Sequence, residues 1–136
     1  MIKSSLSTHL HIMTLLSIYD KDWNSSSDIA GSININPVLV RKELKLLKQA
    51  NLIESKEGKH GGVRLAKSAK DIYLSDIFKA IKDADHIFEF RTESPNPSCL
   101  VGQQINTRLS ELFESIDQAV ITQLEGMSLK EFANRF

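Results

Sequence analysis

The sequence carries one cysteine, Cys99, so no disulfide can close within the chain. That usage fits a reducing, cytoplasmic setting. No run reaches the ~20 apolar residues that a membrane span needs. Lys3 stands alone near the start, and Ser7, Thr8, His9 and His11 interrupt the apolar run there. No signal peptide and no membrane partner are expected. There is no H-E-x-x-H and no close Cys/His cluster among the four histidines, so no metal site is expected. G-x-G-x-x-G is absent, and Gly58-Lys59 is followed by His60 where a phosphate-binding loop needs Ser or Thr. Asp76, Asp83 and Asp85 read as solvated helix charges, and no convergent catalytic set stands out, so an enzyme is not expected.

Excess charge is also missing, since the formal net charge is +0. Its distribution is uneven, however. Residues 1–70 hold eleven Lys/Arg against six Asp/Glu, a net +5, and residues 71–136 reverse this to −5. Residues 37–70 alone hold nine against three, a net +6. A basic front and an acidic back suit a protein that meets a polyanion with one face.

The apolar spacing supplies the elements. Leu6, Leu10, Met13 and Leu16 predict an amphipathic helix over 4–19. "NSSSDIAGSI" predicts a short helix capped by Ser26 or Ser27, with Asp28 in its first turn and Gly31 and Asn34 at its end. In "NPVLVRKELKLLKQANL", Asn36 suits the N-cap and Pro37 the first helical position. Val40, Leu44 and Leu47 make a buried stripe, Arg41, Lys45 and Lys48 a neighbouring basic edge, and Asn51 a left-handed exit.

"LIESK" and "VRLA" then predict two strands joined by "EGKHGG". A helix capped by Ser75 follows, then a loop containing Pro95 and Pro97. From 100 to about 124 a long helix places Ile105, Leu109, Leu112, Ile116 and Ala119 near a 3.5-residue repeat, a seam for a shared helix pair. "SLKEFANRF" predicts a short last helix with a Ser128–Glu131 capping box.

This order describes a mainly α fold with a small β-hairpin wing: a winged helix-turn-helix followed by a long C-terminal dimerisation helix. The expected division is residues 1–83 for the winged unit, 84–99 for a connecting loop, and 100–136 for the dimerisation helix and short last helix. Glycines 58, 61 and 62 suit a hairpin that turns with positive φ.

The expected duplex-facing residues are Ser26, Ser27, Asn36, Pro37, Val38, Val40, Arg41, Lys42, Lys45 and Lys48 from the helices. The wing adds Lys56, Lys59, His60, Gly61, Gly62 and Arg64. Residues near the start of the basic helix enter a major groove first, with Arg41 suited to a two-pronged contact. Lys45, Lys48 and Lys59 suit phosphates, and His60 or Arg64 a minor groove. The other reading of the same elements is a winged-helix protein-interaction module without specific DNA binding.

Residues 25–81 resemble the DNA-binding half of the Rrf-two family of bacterial transcriptional regulators, the relatives of IscR and NsrR. The resemblance lies in Ile29-Ala30, Pro37, Val40-Arg41-Lys42, Leu44, Leu47, Ala50-Asn51-Leu52-Ile53, Ser55, Gly58, Gly61-Gly62, Leu65-Ala66 and Ile72 through Ile77. Asn51 stands where the family usually has glycine. Weaker similarity runs from "NPSCLVGQQI" to the end. The resemblance implies a homodimeric regulator, a repressor, on a palindromic operator in double-stranded DNA. Cluster-binding members carry three cysteines between the helix after the wing and the long helix, and this chain has only Cys99. No cofactor is therefore expected, and the pattern is similar to the cluster-less, YwnA-type branch. Cys99 opens the long helix, where the dipole favours thiolate. It is a candidate redox or electrophile switch, or else a small buried hydrophobe.

Overall fold

Helix α1, Ile2–Ile18, packs against most of the shorter helices and one strand, while the long C-terminal helix packs against the helix after the wing. The structure is a computed structural model that describes residues 2–82 and 87–136, with side chains from Ser5 onward. Asp83, Asp85, His86 and the expected boundary at residue 83 lie outside the described residues. After α1 come α2 (Ser26–Ile33), α3 (Pro37–Gln49), β1 (Ile53–Lys56), β2 (Gly62–Leu65), a 3-10 turn (Ala69–Asp71), α4 (Leu74–Lys82), α5 (Leu100–Glu125) and α6 (Leu129–Ala133). The winged helix-turn-helix with a long C-terminal helix is what the sequence led us to expect.

The buried face of α1 is rotated from the expected stripe. Met13 and Leu16 are fully buried, but His9 and Ile12 join them, while Leu6 and Leu10 are only half-buried. Helix α2 is capped one residue earlier than expected: Ser25, not Ser26 or Ser27, accepts from the Asp28 N–H at 3.1 Å. A serine already inside the first turn cannot place its oxygen on those amides. Gly31 lies inside α2 rather than at its end, and Asn34 closes it in the left-handed conformation at φ 64°.

Helix α3 follows its sequence signals closely. Asn36 accepts from the Val38 N–H at 2.8 Å, and Pro37 opens the helix. Asn51 leaves at φ 60°. Val40 and Leu47 are fully buried and Leu44 nearly so, each burial favouring the fold by about 1.5–3 kcal/mol. Together they press α3 onto a core made by Ile12, Met13, Leu16, Ile29, Leu52, Ile72 and Ile77.

The strands pair antiparallel, with Ile53 opposite Leu65 and Lys56 opposite Gly62. Beyond them, Asn24 and Val63 exchange backbone hydrogen bonds at 2.8 and 2.9 Å, which adds a third edge to the wing. This approach requires Gly62. It adopts φ +146°, and a Cβ there would stand 2.4 Å from the Asn24 carbonyl oxygen. Helix α4 starts at Leu74, so Ser75 is not its cap. Ser75 is buried in the first turn, and Asp76 instead accepts from the Tyr73 N–H at 2.9 Å.

The chain's last segment is sewn back onto its first part. Leu74 N–H donates to the Met127 carbonyl at 3.0 Å and Leu129 N–H to the Ile72 carbonyl at 2.7 Å. Leu129 is fully buried within the core cluster. Ser128 caps α6 through the Glu131 N–H at 3.1 Å. Gly62→Ala is expected to lower the unfolding free energy by about 1–3 kcal/mol through backbone strain. Urea denaturation at neutral pH checks this; an unchanged midpoint would contradict the Asn24 contact.

Candidate nucleic-acid interface

The outer surface of α3 is set by what its inner surface must do. With Val40, Leu44 and Leu47 committed to the core, Arg41, Lys42, Lys45 and Lys48 are left exposed. Glu43 is the only acid between Pro37 and Asn51. It turns toward α1, where its Oε2 lies 2.5 Å from Nε2 of buried His9. The outward cations of α3 therefore carry no acidic neighbour on their own helix. Burial is the main cause holding His9 below its ordinary pKa, against the opposing charge and hydrogen bond of Glu43.

Several expected contacts acquire definite places. Val38 is 60% exposed at the start of α3, as a groove contact would need. Leu39 beside it is 52% exposed and was missed, because its spacing suits neither stripe. An exposed apolar pair at a helix start can meet thymine methyl groups. Val40 cannot be a duplex contact: it is fully buried and belongs to the core. Asn36 and Pro37 shape the helix start, Ser26 is half-buried, and Ser27 is exposed in the first turn of α2. Lys48 Nζ donates to Ser55 Oγ at 2.6 Å, bridging the end of α3 to β1.

On the wing, Lys59 and His60 are exposed at the tip. The turn there needs Gly61, since a Cβ would stand 2.0 Å from the Lys56 carbonyl oxygen. Arg64 is placed differently from a free wing-tip cation. Its Nε donates to Glu54 Oε1 at 2.5 Å, and its guanidinium lies 4.2 Å from the centre of the Trp23 ring. Lys56 Nζ lies 5.9 Å from the same ring. Both members of the Arg64–Glu54 pair are nearly half exposed, so the pair orients Arg64 more than it stabilises the fold. Trp23 was not singled out from the sequence. The signal was a lone tryptophan within the polar stretch "DKDWN".

Cys99 stands at the N-cap position of α5, exposed and free. The backbone N–H groups of Gly102 and then Val101, at the start of α5, favour its thiolate and hold its pKa below the usual range, although its side chain does not cap the helix by a hydrogen bond. It is therefore not the small buried hydrophobe. Along α5 only Asp117 is buried. Leu112 is 53% exposed, Ala119 is exposed, and Ile105, Leu109 and Ile116 are half-buried. Among the described residues no three His, Cys, Asp or Glu side chains are grouped to hold a metal ion. Among the same residues no helix is long and apolar enough to cross a membrane.

Comparison with known proteins places this geometry. A family model described as "Rrf2: Iron-dependent Transcriptional regulator" matches residues 2–135. YwnA of Bacillus subtilis (strain 168), which carries the name of an HTH-type transcriptional regulator, is 40% identical over 134 residues, covering 98% of each chain. A crystal structure described as that of a DNA-binding protein is similar at TM-score 0.71 and 35% identity, covering 94% of this chain and 97% of that one. CymR (YrzC), the global cysteine regulator of B. subtilis, shares the fold at TM-score 0.72 and 22% identity, covering 100% and 98%.

Trp23 is the only tryptophan, and it sits under two wing cations. Its emission is expected to change in intensity when the protein is titrated with duplex DNA at low salt. An unaltered spectrum at saturating duplex would show that the wing base does not respond to binding.

Proposed function

The chain belongs to the Rrf2 family of transcriptional regulators, and from that premise we propose that it is a cytoplasmic, homodimeric repressor that reads a palindromic operator in double-stranded DNA. The observation that carries this reading is the acid-free outer face of α3, with Arg41, Lys42, Lys45 and Lys48 exposed on it, together with the exposed Lys59 at the wing tip. Without a partner, four cations on one short helix repel each other, and a phosphate backbone relieves that repulsion. In this reading Arg41 makes the two-pronged base contact, Val38 and Leu39 meet methyl groups, and Lys42, Lys45 and Lys59 hold phosphates. His60 approaches a minor groove. Arg64 acts from the base of the wing, keeping Trp23 and the strands in place beside the duplex.

The dimer reading is supported by the apolar residues that α5 leaves uncovered. Leu112, with Leu100 at 73% and Val101 at 64% exposure, is costly to leave in water along one helix. A second copy of α5 covers them and sets two recognition helices on one face of DNA.

The family model's description names iron, and the residues here do not fit an iron–sulfur cluster. Cys99 is the only thiol in the sequence, whereas such clusters ordinarily draw several thiolates from the protein. We read the chain as a cofactor-free member. In place of a cluster, Cys99 is the candidate sensor: an exposed thiol whose anion two backbone amides favour. Its oxidation or alkylation alters the start of α5 and thereby the dimer.

With about eight phosphates neutralised per dimer, log K for the operator should fall with log salt at a slope near −7. Arg41→Ala is expected to weaken operator binding by about 1–3 kcal/mol and to relax base preference. Fluorescence anisotropy against selected and scrambled duplexes measures both, and equal binding of the two by the intact protein contradicts specific readout. Cys99 should react with iodoacetamide in the folded protein at neutral pH. A thiol inert to that reagent, together with operator binding indifferent to peroxide and diamide, removes the sensor role.

A further inference from the structure

His9 and Glu43 form a pair that no duplex contact uses. His9 stands on α1 with no exposed surface, and the Glu43 side chain on α3 is 15% exposed. Nε2 of His9 lies 2.5 Å from one carboxylate oxygen, and Ser5 Oγ donates to the other at 3.5 Å. Nδ1 of His9 is buried with no hydrogen-bond partner.

These contacts fix where the proton sits. Neutral His9, with its proton on Nε2, donates to Glu43 and leaves only a lone pair unmet on Nδ1. A second proton would place an N–H there with no acceptor and a charge out of water. Among the described residues, Glu43 is the charge that acts on His9. The other charged groups on elements packed against α1 are engaged elsewhere or lie on exposed surface. Asp76 holds the Tyr73 N–H, while Lys79 and Lys82 face Glu125 and Asp117. Arg64 holds Glu54, and Glu131 faces Ser128. Asp28 on α2, the remaining cations of α3 and Lys130 on α6 are exposed.

We propose that the His9–Glu43 pair is a positioning device for the recognition helix, and that duplex affinity falls on acidification because a proton entering the pair unseats α3 from α1. The inference rests on the DNA-binding reading above. Its sign follows from linkage. A histidine held below its ordinary 6.5 when folded contributes stability in full above that value, and loses it as pH falls further. With α3 unseated, His9 meets water and regains its ordinary affinity for a proton. Only the seated form presents the α3 cations as the duplex requires, so protons and duplex compete.

The test uses a duplex selected from a random pool by the wild-type protein at about pH 7.5, titrated down to about pH 5.5 at constant ionic strength. His9→Gln keeps an amide donor near Glu43 and takes no proton. It is expected to bind within about threefold of wild type at the upper pH, and below about pH 6.5 wild type should lose affinity relative to it by up to about tenfold per unit, the limit for one proton. Comparing the two cancels the contributions of the other histidines. His9→Leu, which leaves the carboxylate without its donor, should bind more weakly than wild type at the upper pH with unchanged far-ultraviolet circular dichroism.

Should His9→Gln not fold, the His9 imidazole of wild type is followed by NMR, and bound duplex is expected to push its titration lower. Parallel pH profiles for wild type and His9→Gln, or identical imidazole titrations free and bound, overturn the proposal. Absence of any duplex binding by wild type at the upper pH instead overturns the DNA-binding reading itself.

Discussion

Helix α3 has to meet two incompatible environments at once. One face must be apolar enough to seat on α1, and the other must stay cationic and free of acids. A period of 3.6 residues allows this only because Val40, Leu44 and Leu47 share one stripe while Arg41, Lys45 and Lys48 follow one position later. The lone acid of the helix shows how strict the division is. Glu43 sits on the boundary and faces inward to His9, where its charge is used against α1. The pair gives the inner face a directional contact that apolar packing lacks. A carboxylate that is largely out of water is expensive to leave without a partner, and the His9 N–H supplies one.

The wing obeys a related division between anchored base and free tip. Its base is held on both sides, by the pairing of β1 with β2 and by the reciprocal bonds between Asn24 and Val63. Arg64 joins that base by stacking on Trp23 and pairing with Glu54. What remains for a partner is the tip, where Lys59 and His60 stand on a turn that glycine makes sterically feasible. A wing fixed at its root and charged at its end can reach a backbone without reorganising the fold.

The C-terminal part shows the opposite economy. Helix α5 buries only Asp117, whose carboxylate accepts from the Ile87 N–H at 3.1 Å and faces Lys82 at 3.5 Å. Phe88 and Phe90 pack against Phe113, tying the preceding segment to the helix. Leu100, Val101 and Leu112 stay exposed within one chain, while Leu124 packs against the core. Helix α6 then returns to the core through Leu129. Any change at Cys99, at the start of α5, is thus made on a helix whose other end is fixed to the winged unit.

The elements whose information is local could be read directly. Asn36-Pro37 at the start of α3, Asn51 at its exit, the hairpin, the long helix and the Ser128 cap depend on neighbours a few residues away. Less legible were features one position off or far apart in sequence. Ser25 rather than Ser26 caps α2, Ser75 is buried instead of capping, and Val40 serves the core alone. Trp23 beneath Arg64, Asn24 against Gly62, and His9 against Glu43 join residues distant along the chain, so no periodicity announces them. The sequence by itself determined the order of elements, the faces of α3 and the concentration of positive charge, because helical period and capping are short-range properties. Only the tertiary structure decided which cations stay free and which are engaged, since a side chain's partner depends on where other elements pack.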